Sequence, residues 1–88
     1  MSKPLKISKE NEPKYIRLGR NIAYYRKQKG YTQEVLAGRC GLSRSYIRAI
    51  EAPNLVQTIS LEALFTISKA LEVEACKLLV FKEEACKD

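Results

Sequence analysis

A chain of 88 residues, 45% hydrophobic and 30% charged, has room for one small domain whose core lies near the lower limit for folding without staples. No stretch approaches the roughly 20 apolar residues of a membrane span, and the opening MSKPLKISKE has charge with no apolar run behind it, so neither a membrane anchor nor a signal peptide is expected and the cytoplasm is the expected location. The net charge of +6 is unevenly placed, with nine basic side chains against the single acid Glu34 over residues 14–50 and four against seven acids over 51–88, so one half of the fold should attract a polyanion.

Residues 1–13, with two prolines and few apolar side chains, read as a flexible arm. From Lys14 to Lys29, Leu18, Ile22 and Tyr25 share one helical face, with Tyr15 a turn earlier. Asn11 or Glu12 followed by Pro13 suits the start, since proline fits the first turn, Gly30 stops the helix, and Tyr31 should pack inward. Thr32 to Glu51 then reads as two short helices around a tight turn. Thr32 caps the first, Leu36, Ala37 and Cys40 line its inner face, and Gly41 closes it in the left-handed conformation. Ser43 caps the second, where Ile47 and Ile50 face inward. Arg44, Ser45, Arg48 and Ala49 remain outside, a surface suited to something anionic.

Pro53 and Asn54 make a loop of residues 52–58. Ser60 caps a fourth helix, with Glu62 in its first turn and Leu61, Leu64, Ile67 (or Phe65), Ser68 and Leu71 as its inner stripe. Residues 72–74 break the helix around Val73, and a fifth helix should run from Ala75 to about Glu83. Leu78, Leu79, Val80 and Phe81 cannot all face one core, so two of them should stay outside unless a second subunit covers them. With no strand pattern and no repeat, the expected fold is all-α: an arm over 1–13, a five-helix domain over 14–83 and a tail over 84–88.

The chain has no histidine, and Cys40, Cys76 and Cys86 form no CxxC, so neither a metal nor a cofactor is expected. Cys40 and Cys76 read as small apolar core residues and Cys86 as an exposed one. There is no phosphate-binding glycine loop and no clustered carboxylate pair, and nothing organises a Ser–Lys dyad. Catalytic residues are therefore not expected.

Five runs follow one another at family spacing: Ile22-x-x-Tyr25-Arg26, Gly30-Tyr31-Thr32-Gln33-Glu34-x-Leu36-Ala37, Gly41-Leu42-Ser43, Tyr46-Ile47-x-x-Ile50-Glu51, and Ser60-Leu61-x-x-Leu64-x-x-Ile67-x-x-Ala70-Leu71-x-Val73. Over Leu18 to Leu79 the chain resembles the Xre-type helix-turn-helix domain of the phage λ and 434 repressors. The resemblance implies that the third helix enters the major groove of double-stranded DNA with its N-terminal end while the second crosses the backbone. It would set Arg44, Ser45 and Arg48 against base edges, with Arg44 on guanine O6 and N7. Gln33 matches the family residue that meets a phosphate, with Thr32, Ser43 and Tyr46 as further phosphate contacts through their hydroxyls. Arg26 and Glu51 match an ion pair that orients the recognition helix.

Two departures stand out. The loop APNLVQT lacks the basic clamp common in the family, leaving Asn54, Gln57, Thr58 and backbone N–H groups, and Val35 replaces a usually polar residue. The run Arg44-Ser45-Tyr46-Ile47 also resembles the recognition helix of controller proteins from restriction–modification systems. The function implied is a sequence-specific repressor or activator, a homodimer on a palindrome with half-sites ~34 Å apart. Leu79, Val80 and Phe81 of the fifth helix, with Leu55 and Val56, are the expected two-fold surface, unless Phe81 folds back onto its own core. The alternative is an antitoxin or adaptor-type module with a protein partner on its acidic half or arm.

Overall fold

The first helix, α1 (Glu12–Gln28), has Asn11 at its N-cap and Pro13 in its first turn, the start expected from the sequence. A turn in which the Asn11 and Glu12 N–H groups both donate to the Ser8 carbonyl leads into it. Residues 8–13 of the expected arm therefore hold a turn and a helix start in this computed structural model, which describes residues 6–81; Cys86 and the expected tail lie outside the described residues. Gly30, at φ 76°, and the Tyr31 N–H reaching back to the Arg26 carbonyl at 3.1 Å close α1.

The paired helices α2 (Gln33–Cys40) and α3 (Arg44–Glu51) are cut from the chain by their caps. Thr32 Oγ1 accepts from the Val35 N–H and Ser43 Oγ from the Tyr46 N–H, each at 3.0 Å. Between them Gly41 takes φ 69°, and the Leu42 N–H donates to the Ala37 carbonyl. The fourth helix, α4 (Leu61–Leu71), is capped by Ser60 through the Ala63 N–H. It ends at Glu72 in a left-handed conformation, φ 60°. A single turn, α5 (Ala75–Leu78), completes the five helices, and the described residues contain no strand. None of these helices is long and apolar enough to cross a membrane.

All five helices bury side chains in one core: Leu18 and Ile22 from α1, Leu36 and Ala37 from α2, Ile47 and Ile50 from α3, Leu64, Ile67 and Leu71 from α4, and Leu78 from α5. Tyr25, Tyr31, Cys40, Ile59, Val73 and Phe81 pack partly buried around it. At one point the backbones of α1 and α3 touch. A Cβ on Gly19 would lie 1.9 Å from the Ile50 carbonyl oxygen, so only glycine fits there.

Three expectations are corrected. The fifth helix stops at Leu78 rather than running to about Glu83. The Asn21 side-chain amide donates to the carbonyls of Leu78 (2.8 Å) and Val80 (2.9 Å), the groups a longer helix would need. Leu61 is 67% exposed and Phe65 also faces outward, while Ala63, Leu64, Ile67, Ser68 and Leu71 make the inner stripe. Leu61 is the first residue of α4. Cys76 is exposed rather than buried, because a one-turn helix has a single inward position and Leu78 fills it.

Candidate nucleic-acid interface

The outer face of α3 is set by the burial of its other face. Ile47 and Ile50 are buried, so by helical geometry Arg44, Ser45 and Arg48 point away from the core, and all three are exposed. Ala49 is half-buried beside them. Arg44 is the first residue of α3 and is reached across the turn by the carboxylate of Glu34, with Nη1 3.9 Å from Oε1.

The hydroxyls of this region divide by what their protons do. Ser43 and Thr32 use their oxygens as cap acceptors, which leaves each O–H proton available to a phosphate. Tyr46 donates its proton to the Thr58 carbonyl at 3.4 Å, tying α3 to the loop that follows it. A phosphate contact from Tyr46 requires that bond to open. Asn54 is exposed at the turn of this loop, where the Leu55 N–H returns to the Ala52 carbonyl at 3.4 Å.

Beneath the surface a three-residue network holds α2 and α3 to α1. Glu51 Oε2 accepts from Arg26 Nε at 2.8 Å, and Oε1 accepts from Arg26 Nη2 and from Gln33 Nε2, both at 2.9 Å. Arg26 Nη1 donates to the Tyr31 carbonyl at 2.7 Å. The Arg26 and Glu51 side chains are only 10% and 6% exposed, and both ends of the bidentate pair are satisfied. Gln33 keeps one amide N–H for an outside acceptor, and the N–H groups of Gln33 and Glu34 have no partner within the helix. Together with the positive end of the α2 dipole, they present donors to an anion.

Beyond the network, Arg39 stacks on the Tyr31 ring, with its guanidinium carbon 4.7 Å from the ring centroid. Lys29 pairs with Glu72, joining the end of α1 to the end of α4. That hydrogen bond raises Lys29 above its usual 10.5 and holds Glu72 below 4.5. Burial pushes the Cys40 thiol above 9.0.

Sequence reasoning missed three residues: Gly19, which lets α3 approach α1, Glu34 as the neighbour of Arg44, and Asn21, which ends α5. Gly19 had a signal, since a glycine inside a strong helical run costs stability and calls for a packing reason. Asn21 and Glu34 carried no local pattern. Each depends on a chain segment brought near by folding.

At the other end of the molecule Leu79 and Val80 are 46% and 45% exposed, whereas Phe81 folds back against the core. Leu55 is exposed and Val56 half-buried.

Known proteins share this arrangement. A helix-turn-helix family model matches residues 22–78. The HTH-type transcriptional regulator SinR of Bacillus subtilis is 39% identical over 67 residues, 76% of this chain. The chain spans 60% of the length of that curated relative. A structure of SinR in complex with DNA, 38% identical, covers 72% of this chain and 98% of that one with a TM-score of 0.67. The hypothetical transcription factor NHTF from Neisseria is 32% identical and covers 94% of this chain and 92% of that one, with a TM-score of 0.74. The restriction–modification controller protein C.AhdI from Aeromonas hydrophila is 31% identical, covers 73% of this chain and 94% of that one, and gives a TM-score of 0.68. With more than half its length inside the family model and relatives above 30% identity along most of it, the chain belongs to the Xre-type helix-turn-helix family.

Proposed function

We propose that this chain is a sequence-specific double-stranded DNA-binding transcriptional regulator that acts as a homodimer on a palindromic operator. The observation that carries the reading is the division of α3, with Ile47 and Ile50 buried on one side and Arg44, Ser45 and Arg48 exposed on the other. α3 lies in the major groove, where Arg44 donates to guanine O6 and N7, and Ser45 and Arg48 meet neighbouring base edges. Gln33, Thr32 and Ser43 hold flanking phosphates. Asn54 is a further contact from the loop, and Tyr46 joins them only on release from Thr58. SinR, a relative of known structure with DNA, supports the same use of the fold.

The two-fold surface of the homodimer is built around Leu79 and Val80. Two such copies place two recognition helices about one helical turn apart, which turns weak contacts into a specific site. Phe81 supports that surface from below, packed on its own core.

Selection of bound sites from random duplex DNA tests the reading, followed by titration of the chosen site with wild type, Arg44→Ala and the double variant Leu79→Glu/Val80→Glu. A palindromic site is expected, with guanine preference lost in Arg44→Ala and half-site rather than full-site binding in the double variant. Recovery of no enriched sequence, or an Arg44→Ala variant with unchanged affinity and base preference, would overturn it.

A further inference from the structure

Residues 14–50 contain nine cations and one acid, and that acid, Glu34, stands beside the residue proposed to read guanine. An acid in the first turn of α2, next to Gln33 and close to where a phosphate would sit, works against DNA affinity. The pair is well exposed, Arg44 at 56% and Glu34 at 77%, so it adds little to folding.

We propose that Glu34 sets the selectivity of Arg44, suppressing its use on phosphates while aiming it at guanine. The inference rests on the reading of α3 as the helix that enters the groove. A guanidinium has five N–H donors on a planar fork. Nη1 of Arg44 faces the Glu34 carboxylate at 3.9 Å, beyond hydrogen-bond distance, so the donors of the fork remain open for the two parallel bonds to O6 and N7. A phosphate on random DNA attracts Arg44 chiefly through charge, and Glu34 offsets part of that charge. A guanine edge is held by the two directional bonds of the fork, which the nearby carboxylate steers and weakens less. Glu34 therefore lowers non-specific binding more than specific binding, and it widens the ratio between them. It is a positioning residue that acts through Arg44.

The test uses the full chain in four forms: wild type, Glu34→Gln, Arg44→Ala and the double variant. Each is measured on the selected site, on the site with the Arg44-dependent guanine replaced, and on random-sequence duplex across a salt series. Both side chains are exposed, so all four should fold alike, and a thermal melt of each checks this. Wild type should prefer guanine at that position by roughly tenfold, the scale of one bidentate pair. Glu34→Gln should cut that preference by about threefold or more, and should steepen the salt dependence on random DNA by about one phosphate contact, a slope change near 0.9. In the Arg44→Ala background, Glu34→Gln should leave the base preference unchanged. A Glu34→Gln variant that keeps full guanine preference, while Arg44→Ala loses it, overturns this inference and leaves the proposed function standing. An Arg44→Ala variant that keeps the preference overturns both.

Discussion

Gly19 and Gly38 set up one substitution with two opposite outcomes. Both lie inside helices, where replacing glycine by alanine gains up to about 1 kcal/mol from the restricted unfolded chain. At Gly38 nothing lies within 4 Å of the added Cβ, so Gly38→Ala should raise the melting temperature by a few degrees. At Gly19 the Cβ would sit 1.9 Å from the Ile50 carbonyl oxygen, far inside ordinary contact, and that oxygen belongs to a backbone rather than a movable side chain. α1 and α3 must part by about 1 Å or more. A gap of that size forfeits roughly a quarter to a half of the packing energy across it. Ile22, Ile47 and Ile50 pack at this seam, each contributing about 1.5–3 kcal/mol when fully buried. The loss is therefore about 1–4 kcal/mol, and about 2 kcal/mol net of the gain in propensity is a fair central value, within the range measured for overpacked cores. For a domain of this size that lowers the melting temperature by about 8–16 °C. Thermal denaturation followed by circular dichroism measures both variants against wild type. A Gly19→Ala protein that melted at or above wild type would refute the backbone contact, and with it the placement of α3 against α1.

Three other outcomes follow from the buried network, the pH-linked pair and the thiols. Glu51→Ala should destabilise by about 3–5 kcal/mol because it strands a buried guanidinium, whereas the double change Arg26→Met/Glu51→Leu should cost less; chemical denaturation that ranked them the other way would contradict the pairing. Glu72 is held below 4.5 by its bond from Lys29, so its contribution is present above that pH and is lost as pH falls through the folded value. The stability difference between wild type and Glu72→Gln should shrink on acidification, and a widening difference would be incompatible with the bond. Cys40 should be alkylated more slowly than the exposed Cys76 near neutral pH, because burial both shields it and suppresses its thiolate; peptide mapping by mass spectrometry would show the reverse order if Cys40 were open to solvent.

The elements written by local chemistry were legible in the sequence. Thr32, Ser43 and Ser60 each cap a helix through a neighbouring backbone N–H, and Gly30 and Gly41 each take positive φ at a helix end. Those are decisions made within four residues. The start of α5 and most of the α4 stripe were legible too, but the C-terminal end of α5 and the exposure of Leu61 were not. Asn21 is 57 residues from Leu78, and its amide ends α5 where periodicity would have carried the helix on. Leu61 fits the stripe by spacing but stays exposed at the first residue of α4. Helical periodicity says which side of a helix is apolar. It does not say how far along that side the neighbouring elements extend.

The same distinction separates the two arginines most exposed to a functional misreading. Arg26 and Arg44 both lie in the basic half of the chain, and charge alone would offer either to a phosphate. Arg26 directs Nε and Nη2 at Glu51 and Nη1 at the Tyr31 carbonyl, so each of its three nitrogens already has an acceptor, and the side chain is nearly sealed from water. Recruiting it to DNA would strand Glu51, which also holds Gln33. Arg44 meets one distant carboxylate and is open to solvent. What qualifies a basic residue to meet DNA is therefore the number of its donors left unspent after folding. By that measure the Arg26–Glu51–Gln33 network is the frame that fixes α2 and α3 to α1, and the proposed readers are the residues at the start of α3 that lie outside it.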